Sequence, residues 1–137
     1  MPQFGRASSE HLLTCDRRLF VVCTDVIRHL DFAVFCGHRG QLPQDAAYAA
    51  GTSQLRYPHS PHNKMPSLAV DLAPWFDVAP HIRWDDHAAF HRLAGAMLYA
   101  AAIRGIQLEW GGDWPTFKDL PHFQVPPVAN DRPEVTR

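Results

Sequence analysis

Cysteine is scarce in this chain. Only Cys15, Cys23 and Cys36 occur among 137 residues, with no CxxC spacing. An odd, scattered set excludes a disulfide framework and a cysteine-rich zinc site, and predicts free, mostly buried thiols. An excess of charge of one sign is also missing: 13 Lys and Arg stand against 14 Asp and Glu, a formal net charge of -1. That balance excludes a basic nucleic-acid binder and an acidic disordered tail. No apolar run approaches the roughly 20 residues that a membrane span requires. The first residues, MPQFGRASSEH, lack the apolar centre of a secretory signal. Together these absences predict a soluble chain made in the cytoplasm, and its length of 137 residues predicts one domain with one core, a monomer being the default.

Histidine is the residue in excess, at nine. With so little cysteine, a metal site would have to be built from His and Asp or Glu, which suits a catalytic zinc better than a structural one. The question becomes which histidines could converge.

Periodicity supplies a framework. DRRLFVVCTDVIRHL spaces Leu19, Val22, Cys23, Val26, Ile27 and Leu30 as one helical face, with Asp16 as N-cap and a shorter helix before it over Ser8 to Leu13. FAVFCG reads as a buried strand ending in the turn GHRGQLP, and Pro43 suits the first turn of a short helix, QDAAYAA, closed by Gly51. TSQLRYPHSPHNKMPS, with three prolines, reads as an ordered surface loop long enough to carry function. In SLAVDLAPW, Leu68, Val70 and Leu72 alternate with Ala69, Asp71 and Ala73, a strand that turns Asp71 away from the large apolar side chains. A long helix runs from Asp85 or Asp86 to Arg104, with Gly105 as its C′ residue. IQLEW and HFQV read as short strands around GGDWPTFKDLP, and a Pro-rich tail over 126–137 is expected to fray. Strands mixed with segregated helices indicate an α+β class.

Several groups could carry chemistry, each with a plain structural reading beside it. His62 and Asp71 could meet on one ion, or be a loop histidine and a turn-bonding aspartate. Asp119 and His122 in DLPHFQ are held by Pro121, which keeps Leu120 extended and fixes His122 at the start of a strand with Gln124 on the same face. Taken alone, these two are a turn acid and a strand-end imidazole. His87 and His91 have the HxxxH spacing of helical zinc sites but lack the neighbouring glutamate, and read as solvated helix flanks. His59 could compete with His62 as a ligand. Arg39 could enter a cleft and stabilise an anion, or simply be solvated. Cys36, Ser60 and Ser67 lack a convincing base, which ranks nucleophilic catalysis low. Trp110 and Trp114 could line a groove, although core packing is the commoner fate of tryptophan.

In order along the chain, FGRAS, DFAVFCGHRG, AAYAAGTSQL, SPHNKMPSLAVDLAP, LEWGGDW and FKDLPHFQ resemble the phage endolysin peptidases of the M15 metallopeptidase family. This group contains L-alanyl-D-glutamate peptidases and D-alanyl-D-alanine carboxypeptidases. The resemblance spans Phe4 to about Val125, and its motifs are jointly specific: an SxH…AVD segment upstream and a DLPHF segment downstream. His62 and Asp71 are nine apart, a longer spacing than in the commonest family form.

The resemblance implies an α+β fold with a small antiparallel sheet and helices packed to one side, hedgehog/DD-peptidase-like, over residues 1–125. It implies a Zn2+ held by His62, Asp71 and His122. Asp119 would be the catalytic acidic residue, and Arg39 would hold the scissile carbonyl or the developing oxyanion. Trp110 and Trp114 are candidate substrate contacts. The implied function is hydrolysis of an amide bond in the peptidoglycan stem peptide, with L-Ala–D-Glu the first expectation, during host lysis, after release from the host cytoplasm to the cell wall. D-alanyl-D-alanine carboxypeptidase activity is the alternative. A non-catalytic zinc-stabilised module and a plain interaction domain remain as rivals from other classes.

Overall fold

The computed structural model describes residues 1–128, so most of the expected tail, 129–137, lies outside the described residues. In chain order the elements are α1 (Arg6–Leu12), α2 (Arg17–Ile27), β1 (Phe32–Cys36), α3 (Gln41–Ala49), β2 (Ala69–Pro74), α4 (His87–Ile103), β3 (Glu109–Trp110) and β4 (His122–Gln124). Short 3-10 turns occupy Pro61–Asn63 and Gly111–Asp113. The strands form one antiparallel sheet in the order β1-β2-β4-β3. Among the described residues, no helix is long and apolar enough to cross a membrane.

One face of the sheet makes the core. Val34, Val70, Leu72 and Phe123 turn inward onto Leu19, Val22, Cys23 and Val26 of α2 and Leu93, Ala94 and Met97 of α4. Each fully buried Leu, Val or Phe side chain contributes roughly 1.5–3 kcal/mol through water exclusion, so this layer fixes the sheet from one side. The α2 stripe from Leu19 to Ile27 is the one that the sequence spacing predicts, whereas Leu30 lies past the helix end and is half-buried. Asp16 caps α2 by accepting from the Arg18 amide at 2.9 Å, and Asp86 caps α4 through the Ala89 amide at 3.1 Å. Gly105 ends α4 at φ 69, a left-handed conformation that glycine adopts without a Cβ clash.

Boundaries differ from the sequence reading in physically simple ways. α1 begins at Arg6 rather than Ser8, and α3 at Gln41, with Pro43 inside the first turn, where its missing N–H costs no bond. IQLEW supplies only Glu109 and Trp110 to the sheet. Its partner β4 is bracketed by Pro121 and Pro126, which have no N–H to extend the ladder, so β3 has little to pair with.

Asp16 also accepts from the Arg18 guanidinium at 2.9 Å, and its amide donates to the Ser67 carbonyl at 2.8 Å, joining α2 to the chain entering β2. Burial disfavours the Asp16 charge, yet the Arg18 hydrogen bonds outweigh it and hold the carboxyl below its ordinary value. A depressed carboxyl contributes stability above its unfolded-state pKa, and that contribution is lost as pH falls through the folded-state value. Asp16→Ala should therefore cost about 1–2 kcal/mol near neutral pH. In denaturant titrations, the gap from wild type should close as the medium is acidified below the carboxylate range.

Candidate metal centre

The other face of the sheet carries the site. Across three strands the ladder aligns Cys36 with Asp71 and Asp71 with His122, so these side chains form one row. Directly opposed residues have Cβ atoms roughly 4.5–5.5 Å apart. The row depends on a register shift: Val34 pairs with Leu72 but Cys36 pairs with Asp71, leaving Phe35 as an extra residue on β1. Regular alternation would send Cys36 to the core beside Val34; the bulge turns it to the face of Asp71 instead.

His62 arrives from the long loop after α3. Ser60 accepts from the His62 amide at 3.2 Å, and Asn63 returns its side-chain oxygen to the Ser60 amide at 3.0 Å, a capping box on the Pro61–Asn63 turn. Asn63 also donates to the Arg39 carbonyl at 2.9 Å and to Gln44 Oε1 at 3.2 Å. Gln44 is fully buried in α3 and donates onward to Ser53 Oγ and to the Leu55 carbonyl, at 3.0 and 2.7 Å. The Arg39 amide donates to the His62 carbonyl at 2.7 Å. The imidazole is thus delivered by a polar network rather than by apolar packing.

The three candidate ligands converge. Asp71 Oδ1 lies 3.3 Å from His62 Nε2 and 3.3 Å from His122 Nδ1, and the two rings are 5.2 Å apart. On the far side of each ring is an acceptor: the Gly37 carbonyl is 2.8 Å from His62 Nδ1, and Gln124 Oε1 is 2.7 Å from His122 Nε2. A carbonyl oxygen can only accept, so these outer nitrogens carry the protons and the inner ones offer lone pairs. His62 Nε2 and Asp71 Oδ1 are both buried without a hydrogen-bond partner. Donor atoms aimed at one another across an unbridged gap fit a cation between them.

The electrostatics agree. Burial lowers the His62 pKa, but the Asp71 carboxylate, and Cys36 beside it, outweigh burial and raise it to about 10. Burial likewise opposes the Asp71 charge, while contact with His122 and His62 holds its carboxyl well below the usual range. The field at this spot favours positive charge, which a proton or a metal ion can supply. Oxygen and imidazole donors at close quarters suit zinc.

Cys36 is the neighbour that sequence reading left out of the site. Its ligand atom and those of His62 and Asp71 lie within 4.8 Å of one another. Its sulfur is 3.7 Å from His62 Nδ1, but that nitrogen already donates to Gly37, so it faces Cys36 without a lone pair. The same fact leaves Cys36 without a base for nucleophilic work. Cys15 and Cys23 are buried, and burial pushes the Cys15 thiol up to about 12 and raises that of Cys23 as well.

A cleft opens over the row, lined by Arg39, Trp84, Trp114, Phe117 and Asp119 together with His62, Asp71 and His122. Burial, and then the charge of Asp71, raise the Asp119 pKa, while His122, His62 and Arg39 act in the opposite sense. Arg39 Nε is buried with no hydrogen-bond partner. The two tryptophans separate: Trp114 lies against the His122 ring at 5.1 Å, whereas Trp110 is buried and donates to the Leu120 carbonyl at 2.8 Å. Trp110 is core packing and lies outside the cleft lining. His59, His87 and His91 are exposed, so none of them competes with His62.

The sequence agrees with this geometry over nearly its whole length. The family model for phage L-alanyl-D-glutamate peptidases matches residues 2–124. The chain belongs to that family. The crystal structure of Serratia marcescens L-Ala D-Glu endopeptidase ChiX is similar, with a TM-score of 0.76 and 31% sequence identity, covering 90% of this chain and 90% of that chain. Membership makes the protein a peptidase and sets aside the reading of a plain interaction domain. The α+β class, with its small antiparallel sheet, is likewise that of the family.

In this family member, Gly111 is a close-approach point, which its place in the segment GGDWPTFKDLP does not reveal. A side chain there would run into the Asp119 carbonyl and crowd His122 Cβ at 3.2 Å. Gln44 was equally hidden, since a lone glutamine in a helix gives no signal of burial. Replacing it by leucine removes the bonds to Ser53 and Leu55 and leaves Asn63 short of an acceptor. Gln44→Leu should cost about 1–3 kcal/mol and raise proteolytic cleavage within 52–64, read by thermal unfolding and limited proteolysis.

Proposed function

We propose that the protein is a zinc-dependent peptidoglycan peptidase that hydrolyses the L-Ala–D-Glu bond of the stem peptide and serves phage lysis. The observation that carries the metal is the set of His62 Nε2, His122 Nδ1 and Asp71 Oδ1, each facing the others while the outer ring nitrogens are bonded elsewhere. The bond cleaved is supported by the family match and by the similar Serratia enzyme. Cys36 offers an alternative third donor; the imidazole pair is favoured because the His62 nitrogen nearest Cys36 is engaged by Gly37.

Two neutral imidazoles and one carboxylate would hold the ion with a net positive charge and an open position. When bound, zinc supplies Lewis acidity, lowering the pKa of water to about 7 and polarising a carbonyl. Asp119 does the proton transfer: its raised pKa moves it toward the working range of a general base, and it accepts the proton of the attacking water and returns it to the leaving amine. Arg39, which lines the cleft and has an unbonded Nε, donates from its guanidinium to the oxygen on which negative charge develops. Trp114 packs on the His122 ring and closes one wall against water.

His122→Ala should lose bound zinc in metal analysis, because one of three donors is gone. Asp119→Ala should retain zinc yet lose about 10²–10⁴-fold in rate when purified peptidoglycan is cleared. Unchanged clearing by Asp119→Ala would sink the proton-transfer role. Mass spectrometry of the released fragments should find new D-Glu amino termini; release of D-Ala instead would make the protein a carboxypeptidase.

A further inference from the structure

Gln124 stands two residues beyond His122 on β4, so strand alternation brings its side chain back to the cleft face while Phe123 between them enters the core. β4 is an interior strand. Gln124 is paired with Ala69 of β2 on one side and Glu109 of β3 on the other, and the next amide, of Val125, donates to the Leu68 carbonyl at 2.9 Å. Its backbone is therefore held from both sides, and its Oε1 meets His122 Nε2 at 2.7 Å. That is the one side-chain hydrogen bond of the His122 ring among the described residues.

The two imidazoles of the site differ in how they are aimed. His62 gives its outer proton to a backbone carbonyl, that of Gly37, which no substitution of a neighbour removes. Gly37 is itself wedged against the His11 carbonyl and the Thr14 hydroxyl, where a Cβ has no room. His122 depends on a side chain. Trp114 covers its ring at 5.1 Å but offers it no hydrogen bond, because the indole N–H is given to Glu109. Without an acceptor at Nε2, the ring can rotate about its χ2 bond and take Nδ1 away from Asp71.

We infer that Gln124 is a positioning residue, acting through His122: its amide oxygen holds the Nε2 proton and keeps the Nδ1 lone pair directed at the cation position beside Asp71. This deepens the zinc reading above and rests on it for its effect on metal binding. The hydrogen bond itself is independent of any metal.

The test uses the full chain with Gln124→Leu, which keeps the bulk and removes the acceptor, and Gln124→Glu, which keeps an acceptor. Glu109, opposite on β3, is exposed, so solvent screens the added charge. Competition with a chromophoric chelator should find zinc bound about 10–100-fold more weakly by Gln124→Leu. Gln124→Glu should bind at the wild-type level or tighter, and the thermal midpoint of the metal-free protein should be unchanged in both. In the metal-free protein, the Nε2 proton of His122 should be visible by NMR as a slowly exchanging imidazole resonance in wild type and Gln124→Glu, and should exchange away in Gln124→Leu. Equal zinc affinity in wild type and Gln124→Leu, or equal loss in both variants, would overturn the inference, since equal loss reports packing rather than acceptance. Wild-type protein that takes up no zinc would end the zinc reading, and the ring-proton comparison alone would then decide the role of Gln124.

Discussion

A single carboxylate oxygen, Asp71 Oδ1, faces two imidazoles at 3.3 Å each from a position that is mostly covered, and the rest of the site is arranged around that fact. A carboxylate taken out of water costs several kcal/mol unless positive charge compensates it. Here the carboxylate raises the pKa of the His62 ring and faces the His122 ring as well, and a cation between them would complete the compensation. The sheet makes this possible because Asp71 and His122 are direct ladder partners on two interior strands. Neither strand can slide without moving Val70, Leu72 or Phe123 out of the core.

Rigidity is distributed unevenly. Two of the candidate ligands, Asp71 and His122, stand on strands fixed by the apolar layer of α2 and α4. The third, His62, stands on a loop, and loops normally place side chains less well. The buried amide of Gln44, the capping box of Ser60 and Asn63 and the Arg39 backbone replace apolar packing with a satisfied polar network. Such a network also fixes the Arg39 backbone, so the loop that delivers His62 also places an arginine in the cleft lining. Asp119 is set by a different device, the absence of a side chain at Gly111.

Much of this could be read from the chain. The stripe of α2 and its cap Asp16, the presence of α4 and the alternation around Asp71 follow from local patterns, which need no tertiary information; the choice of Asp86 over Asp85 as the cap of α4 does not. DLPHFQ carries its own geometry, because Pro121 and the strand period fix where His122 points and return Gln124 to the same side. The choice of His62 over His59 followed from resemblance and agrees with burial, since one is enclosed and the other exposed. For Trp110 the sequence left core and groove open; its place in the core depends on β3 pairing with Phe123 of β4.

What the sequence determined by itself was the set of elements and the residue types able to hold a cation, since periodicity and donor chemistry are local properties. Tertiary structure decided which of those residues meet. The bulge at Phe35 brings Cys36 into the row, Gly111 admits the Asp119 carbonyl, and Gln44 reaches across a loop to hold the turn that carries His62. None of these joins immediate neighbours in the chain, and their meeting depends on register and close packing, which no local pattern encodes.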